Sequence, residues 1–366
     1  MQIRRKVKAK HRPKDGISRG ENLASQPHTE HKVFNNPNVL TKGWYPVCPA
    51  KHIAKGEAQS FRISKQRIVV FRTETGELRA LDAFCPHLGA DLGNGRVVGE
   101  NIQCYFHQWE LDGEGCLKNI PCMDHLNDSF SNVRNRAYPV QEEYGHIWVY
   151  SHTEAAHRVL KPSGLEGEEV TALFLKEVEL FAHHHVMMAN GVDLQHFATV
   201  HDLDIKFDYD VSENADGTFI WKLRGEIPTD SLKGKIAKYL LGDEVEYHVK
   251  FGGGSLVTIT YGVDAKLLGR PFPPLNVLWG CLPQDNGISN VRIFFVSKNR
   301  PGFMGKLKNA GLYFLTFFLL VMLRDEDIEA FPNMRFNTHR LIKADRSLGR
   351  FIQLIDRCEL SDWAGQ

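Results

Sequence analysis

Cys85-Pro86-His87-Leu88-Gly89-Ala90 and, after sixteen residues that follow His87, Cys104-Tyr105-Phe106-His107-Gln108-Trp109 are the stretches on which the reading of this chain turns. Each offers one cysteine and one histidine, C-x-H and then C-x2-H, so each of two short loops brings a thiolate and an imidazole. Such donors suit soft and borderline metals. Gly89 and Gly93 accompany the first pair and Gly113 and Gly115 follow the second; glycine lets backbone come close to a sulfur. A zinc site drawn from Cys85, Cys104, Cys116 and Cys122 is the competing reading. It fits poorly, because zinc ribbons use closely spaced cysteine pairs and neither Cys85 nor Cys104 has one. Cys116 and Cys122 then read as small buried apolar residues.

Further along, Asn190-Gly191-Val192-Asp193-Leu194-Gln195-His196-Phe197-Ala198-Thr199-Val200-His201 contains D-x2-H-x4-H. On a helix Asp193 and His196 share a face, whereas His196 and His201 diverge by roughly 140° at 3.6 residues per turn. The helix must bend or end between them. Two imidazoles and a carboxylate leave open positions on ferrous iron. Taken alone the pair would pass for ordinary histidines; downstream of the two loops they read as iron ligands. His183-His184-His185 has no spaced carboxylate and reads as element surface with adventitious metal affinity. A third ligand has four candidates in Asp325, Glu326, Asp327 and Glu329, which otherwise form a solvated helix face.

Two thiolates on one iron and two imidazoles on the other make the ligand set of a Rieske 2Fe-2S centre. Respiratory Rieske proteins carry an extra cysteine in each loop, where this chain has Ala90 and Phe106, so that disulfide cannot form. With His107-Gln108-Trp109 in the second loop, the chain resembles the Rieske domain of ring-hydroxylating and related non-haem iron oxygenases, of the steroid hydroxylase, sterol desaturase and arylamine oxygenase types. The resemblance implies that Cys85, His87, Cys104 and His107 hold the cluster, and that Asp327, in Asp327-Ile328-Glu329-Ala330-Phe331, joins His196 and His201 on Fe(II). Ala330 departs from the branched residue usual there. It implies that Asp193 bridges a cluster histidine to an iron-ligand histidine, often across a subunit boundary in a homotrimer. It further implies a ferredoxin or NAD(P)H-dependent reductase as electron donor, O2 as co-substrate, and hydroxylation or desaturation of an apolar, sterol-like or aromatic substrate. The alternative is an electron-transfer or binding protein whose second domain is not catalytic.

The chain's 366 residues suffice for two cores. A formal charge of +1 points away from nucleic acid. Seven cysteines, two of them committed to a cluster, suggest no disulfide framework and a reducing, cytoplasmic setting. Residues 1–35 read as a basic, disordered tail with Arg4, Arg5, Lys6, Lys8, Lys10, Arg12 and Lys14, and no apolar run follows to make a secretory signal. Contact of this tail with a membrane surface or an acidic redox partner is a minority reading.

The fold expected is α+β. A mostly antiparallel β Rieske domain over 36–152 contains strands at Ser60–Ile63, Arg67–Arg72, Glu77–Asp82 and Gly145–Tyr150. A linker at about 151–167 leads to a catalytic domain over 168–366, whose strands at Val170–Leu175, Phe219–Leu223, Val245–Phe251, Leu256–Tyr261, Val277–Leu282 and Val291–Val296 suit an antiparallel sheet. The resemblance makes it a helix-grip sheet. Gly252-Gly253-Gly254-Ser255 reads as a strand connection, since no P-loop pattern surrounds it. Gly311–Leu323 is too short to span a bilayer and reads as a helix that lines an apolar pocket and leads to Asp327, with peripheral docking on a membrane surface through it as the minority reading.

Overall fold

The computed structural model describes residues 31–363 apart from 127, 131, 202–203, 231, 242, 268–269, 285–286 and 331–335; the side chains at 128, 233, 237, 240–241, 267, 270 and 322–330 likewise lie outside the described set.

Antiparallel pairing builds the first half. Trp44–Pro49, His146–Tyr150 and Val140–Glu143 form a three-stranded sheet, and Ala58–Ile63, Gln66–Arg72, Leu78–Asp82 and Ala137–Tyr138 a four-stranded one. Short strands at Arg96–Val98, Asn101–Gln103, Glu110–Leu111 and Leu117–Asn119 form a second four-stranded sheet. The second half is a seven-stranded antiparallel sheet in the order Val170–Leu180, Ser289–Lys298, Leu275–Pro283, Leu256–Tyr261, Glu244–Gly252, Thr218–Glu226, Asp208–Glu213. Five helices accompany it among the described residues: α1 (His184–Asn190), α2 (Leu194–Thr199), α3 (Leu232–Leu241), α4 (Gly302–Ala330) and α5 (Arg346–Asp356). The strands read from sequence are all present, most a residue or more longer.

The central strands Leu256–Tyr261, Leu275–Pro283 and Ser289–Lys298 are buried on both faces, which explains why they read as nearly unbroken apolar runs rather than alternating ones. Side chains alternate across a strand. Val277, Val291, Ile293 and Phe295 therefore join the core shared with α1 and α5, where Trp221, Phe251 and Phe351 meet. Leu278, Phe294 and Val296 point the other way and pack with Trp44, Trp148 and Tyr150 of the first half. Gly280 makes room for that junction: a Cβ there would lie 2.7 Å from the Trp148 ring. The glycine run between two strands serves the same junction, since a Cβ on Gly253, at φ +65°, would fall 2.0 Å from the Lys42 carbonyl oxygen.

The packed chain begins earlier than the sequence suggests. Val33 and Phe34 are wholly buried, and their amides donate to the Asp356 carboxylate at 3.0 and 2.8 Å. The signal was the apolar pair itself, but its acceptor lies at the far end of the chain. The 151–167 segment is likewise no free linker, because Val159, Leu160 and Leu165 belong to the inter-half core.

Candidate metal centres

The two Cys/His loops are built alike. Residues 85–90 are closed by the bridge between Phe84 and Asp91, and residues 104–109 by the pairing of Gln103 with Glu110. In the first the Cys85 amide donates to the Ala90 carbonyl (2.9 Å) and the Gly89 amide to the Cys85 carbonyl (2.9 Å). In the second the Cys104 amide donates to Trp109 (2.8 Å) and the Gln108 amide to Cys104 (3.0 Å). Both loops turn through a left-handed residue four places after the cysteine, Gly89 at φ +76° and Gln108 at φ +59°. This shared turn, rather than approach to a sulfur, accounts for Gly89. Gly93, Gly113 and Gly115 answer to other neighbours: a Cβ would strike Ser60, Arg79 and the Asn135 carbonyl respectively.

Loop closure sets the thiols inward and the imidazoles outward. Cys85 and Cys104 are buried, and His87 and His107 are exposed. The two imidazole rings lie 4.6 Å apart between centroids, and His87 stacks on Trp109 at 4.3 Å with the planes nearly parallel. Burial pushes the Cys85 thiol up to about 11, with the neighbouring Cys104 adding to the rise. Such a thiol ionises readily only beside a cation or metal. Two buried sulfurs beneath two converging imidazoles fit a four-ligand cluster with a dry inner and a wet outer edge. Asn135 steadies the approach to the first loop, its side-chain amide donating to the carbonyls of Asp82 (2.8 Å) and Phe84 (3.1 Å). Cys116 and Cys122 are not the buried residues expected: Cys116 is half-buried, with Arg134 donating to its sulfur at 3.3 Å, and Cys122 is exposed.

The second constellation sits where α1 and α2 meet. Asp193 caps α2, its carboxylate accepting the Gln195 amide at 3.1 Å, as short oxygen side chains do at helix starts. α2 ends at Thr199, and the His196 carbonyl then accepts from both Val200 (2.7 Å) and His201 (3.3 Å). This wide final turn swings His201 back, so that its ring lies 4.9 Å from that of His196. Both are buried. The Nδ1 of His196 donates to the Asp193 carbonyl, which puts the proton on Nδ1 and makes Nε2 the lone-pair nitrogen, the tautomer a metal needs. Phe197 lies against both rings, 4.4 Å from His196 and 5.9 Å from His201 between centroids, and Tyr247 packs against Phe197 at 5.8 Å. Neither was singled out in the sequence, where nothing separates them from other core aromatics. Asp327 lies on α4, and its side chain is outside the described residues.

His183, His184 and His185 are not surface residues. They are buried at the start of α1, with ring nitrogens within 4.8 Å of one another. That spacing suggests a metal, but the hydrogen bonds oppose one. The Nδ1 of His183 accepts the His185 amide and the Nδ1 of His185 accepts the Asn35 amide, each at 3.2 Å. A neutral imidazole accepting at Nδ1 carries its proton on Nε2 and has no second lone pair to give. The trio instead pins the 31–36 segment to the core. Burial lowers all three, His183 to about 3.

Comparison with known proteins agrees with this architecture. The Rieske [2Fe-2S] domain family matches residues 43–134. A Bombyx mori protein named cholesterol 7-desaturase nvd is 28% identical over 219 residues, 56% of this chain and 46% of that protein. The oxygenase component of 3-ketosteroid-9-alpha-monooxygenase from Mycolicibacterium smegmatis is 39% identical over 85 residues, 23% of this chain and 22% of that one. The chain thus spans less than half the length of these relatives. Among solved structures, the QL mutant of Pseudomonas putida CBB5 NdmA with caffeine superposes with a TM-score of 0.60 at 15% identity, covering 86% of this chain and 89% of that one. Dicamba monooxygenase gives 0.59 at 16%, covering 86% and 96%. This chain carries a Rieske [2Fe-2S] domain, and its α+β architecture is the Rieske oxygenase fold.

Proposed function

We propose that the chain is the terminal component of a Rieske non-haem iron oxygenase, with a Rieske domain over residues 36–152 and a catalytic domain over 168–366. Cys85, His87, Cys104 and His107 hold the 2Fe-2S cluster, and His196, His201 and Asp327 hold ferrous iron. When bound, the two centres supply electron transfer and O2 activation; the protein's own share is position and environment. Buried thiols and exposed imidazoles set the cluster's histidine edge toward whatever delivers or receives electrons. The Asp193 carbonyl holds His196 in its ligating tautomer, while the Asp193 carboxylate, half-buried at the head of α2, is placed to orient an imidazole hydrogen-bonded to it. Phe197 and Tyr247 keep water from the inner side of the pair. The substrate is apolar and sterol-like or aromatic, the electrons come from a ferredoxin or NAD(P)H-dependent reductase, and the chain works in the cytoplasm as a homotrimer.

The observation that carries this reading is the His196–His201 pair, 4.9 Å apart and buried, with His196 fixed by its own helix cap. Anaerobic reconstitution with iron and sulfide tests it. Two irons accompany the acid-labile sulfide of the cluster, and a third, labile iron is expected that His196→Ala abolishes. A protein that saturates with the cluster irons alone is an electron-transfer or binding protein instead.

A further inference from the structure

We propose that the outer face of α3 and α4 docks on the surface of an anionic lipid bilayer. At 100° per residue, Asn309, Leu312, Thr316, Leu319 and Leu320 fall on one side of α4, and all five are buried. The same spacing aligns Phe303, Leu307, Phe314 and Phe318 on the opposite side, with Met304 and Phe317 beside them. All six are exposed, Phe303 at 78% and Phe314 at 68%. α3 adds Leu232 and Tyr239, the latter 70% exposed. Between the helices lies an apolar groove of about 430 Å³, walled by Ile236, Tyr239, Phe314, Leu315 and Phe318 with Lys235 at its edge. The expectation that this helix merely lines an internal pocket therefore accounts for one of its faces. A helix apolar all round faces protein or lipid on every side, and an exposed patch of this kind marks an interaction surface.

Charge selects lipid over a second copy. Lys306 and Lys308 flank the stripe, and Lys235 and Lys238 stand on α3. Neither α3 nor α4 as far as Leu323 contains an acidic residue. The acids nearest α3 in sequence, Asp230 and Asp243, lie beyond its ends, where Asp243 pairs with Lys238 at 2.6 Å. Two such faces pressed together would oppose lysine to lysine. An anionic bilayer meets both needs, taking phenylalanine and leucine into its acyl boundary while lysine stems reach up to the headgroups. Among the described residues no helix is long and apolar enough to cross a membrane, so the contact is with one surface. The inference goes beyond the oxygenase reading and does not rest on it, since the patch is the same whether or not His196 and His201 hold iron.

Flotation of the cluster-loaded full chain with phosphatidylcholine vesicles, with and without phosphatidylserine, tests it. Binding is expected to be about tenfold stronger with phosphatidylserine. The Phe314→Glu, Phe318→Glu pair should weaken it by about tenfold or more, and Lys306→Gln with Lys308→Gln by about fivefold per lysine. The basic residues between Arg4 and Lys14 attract the same vesicles by charge alone, so the phenylalanine pair reads insertion separately from them. Failure of the unaltered chain to float, or equal flotation of the phenylalanine variant, overturns the proposal. So does sedimentation in which Phe314→Glu splits a larger assembly into single chains, because a second copy then covers this face.

Discussion

The two candidate metal centres are built on opposite principles. In the Cys/His loops every donor lies within two six-residue turns, each locked by the same pair of backbone hydrogen bonds, so the geometry is nearly complete once each turn forms. At His196 and His201 a helix cap and a wide final turn bring two donors together, while the third expected donor sits far along the chain on α4 and could join them only through the packing of the second half. A locally closed site tolerates disturbance elsewhere; a site gathered from remote elements inherits every change in their packing.

Replacing a loop thiol gives the largest effect expected. Cys104→Ser should remove the cluster outright, seen as loss of its iron, acid-labile sulfide and visible absorption, while a third iron at His196 and His201 persists. If that iron is lost too, the two centres are not independent. Asp193→Asn sharpens the contrast, because asparagine caps a helix about as well as aspartate. Both centres should keep their metal and α2 its stability, with product formation down about 10–100-fold, the range for groups that orient metal-bound imidazoles. An unchanged rate would reduce Asp193 to a cap.

Acid should act on the second half through α1. Its buried histidines are neutral in the folded chain, with His183 lowered to about 3, and His146 at the junction is lowered to about 4. A base whose folded value lies below its unfolded value of about 6.5 leaves the unfolded chain binding more protons between the two. Stability is therefore whole above pH 6.5 and falls as pH drops, the His146 share being spent near pH 4 and the His183 share near 3. Each such histidine contributes a slope of about 1.4 kcal/mol per pH unit across its window. Urea midpoints measured from pH 7 to 4 should show it, and His185→Gln should flatten the slope. A flat profile would mean that these imidazoles are charged or exposed.

The smallest effect compares the loops with each other. Gly89 has nothing within 4 Å of a would-be Cβ, so Gly89→Ala should cost only the left-handed backbone penalty, about 1 kcal/mol. Gln108→Gly at the matching position should be within a few tenths of a kcal/mol of neutral, relief of strain offsetting the freedom gained by the unfolded chain. Thermal melts of the two variants decide whether the loops are equivalent in energy as well as in form.

The Cys/His loops and six of the large sheet's seven strands were legible because their signals are local: ligand type and spacing, a turn residue, short runs of β-branched and aromatic side chains; the polar edge strand Asp208–Glu213 carries no such run. The break between His196 and His201 follows from helix geometry in the same way. The burial of His183 to His185 was not legible, because what covers them is the Val33-Phe34 segment held by Asp356, a pairing across almost the whole chain. The outward face of α4 was hidden for the complementary reason. Its Gly311–Leu323 stretch is apolar on every side, and hydrophobicity alone cannot say which side the protein covers. By itself the sequence determined the two Cys/His loops and where most strands lie along the chain, since these depend on neighbours a few residues away. Tertiary structure alone decided which histidines are buried, which tautomer they hold and which apolar face is left to water, because burial and hydrogen-bond partners come from contacts between segments far apart in the chain.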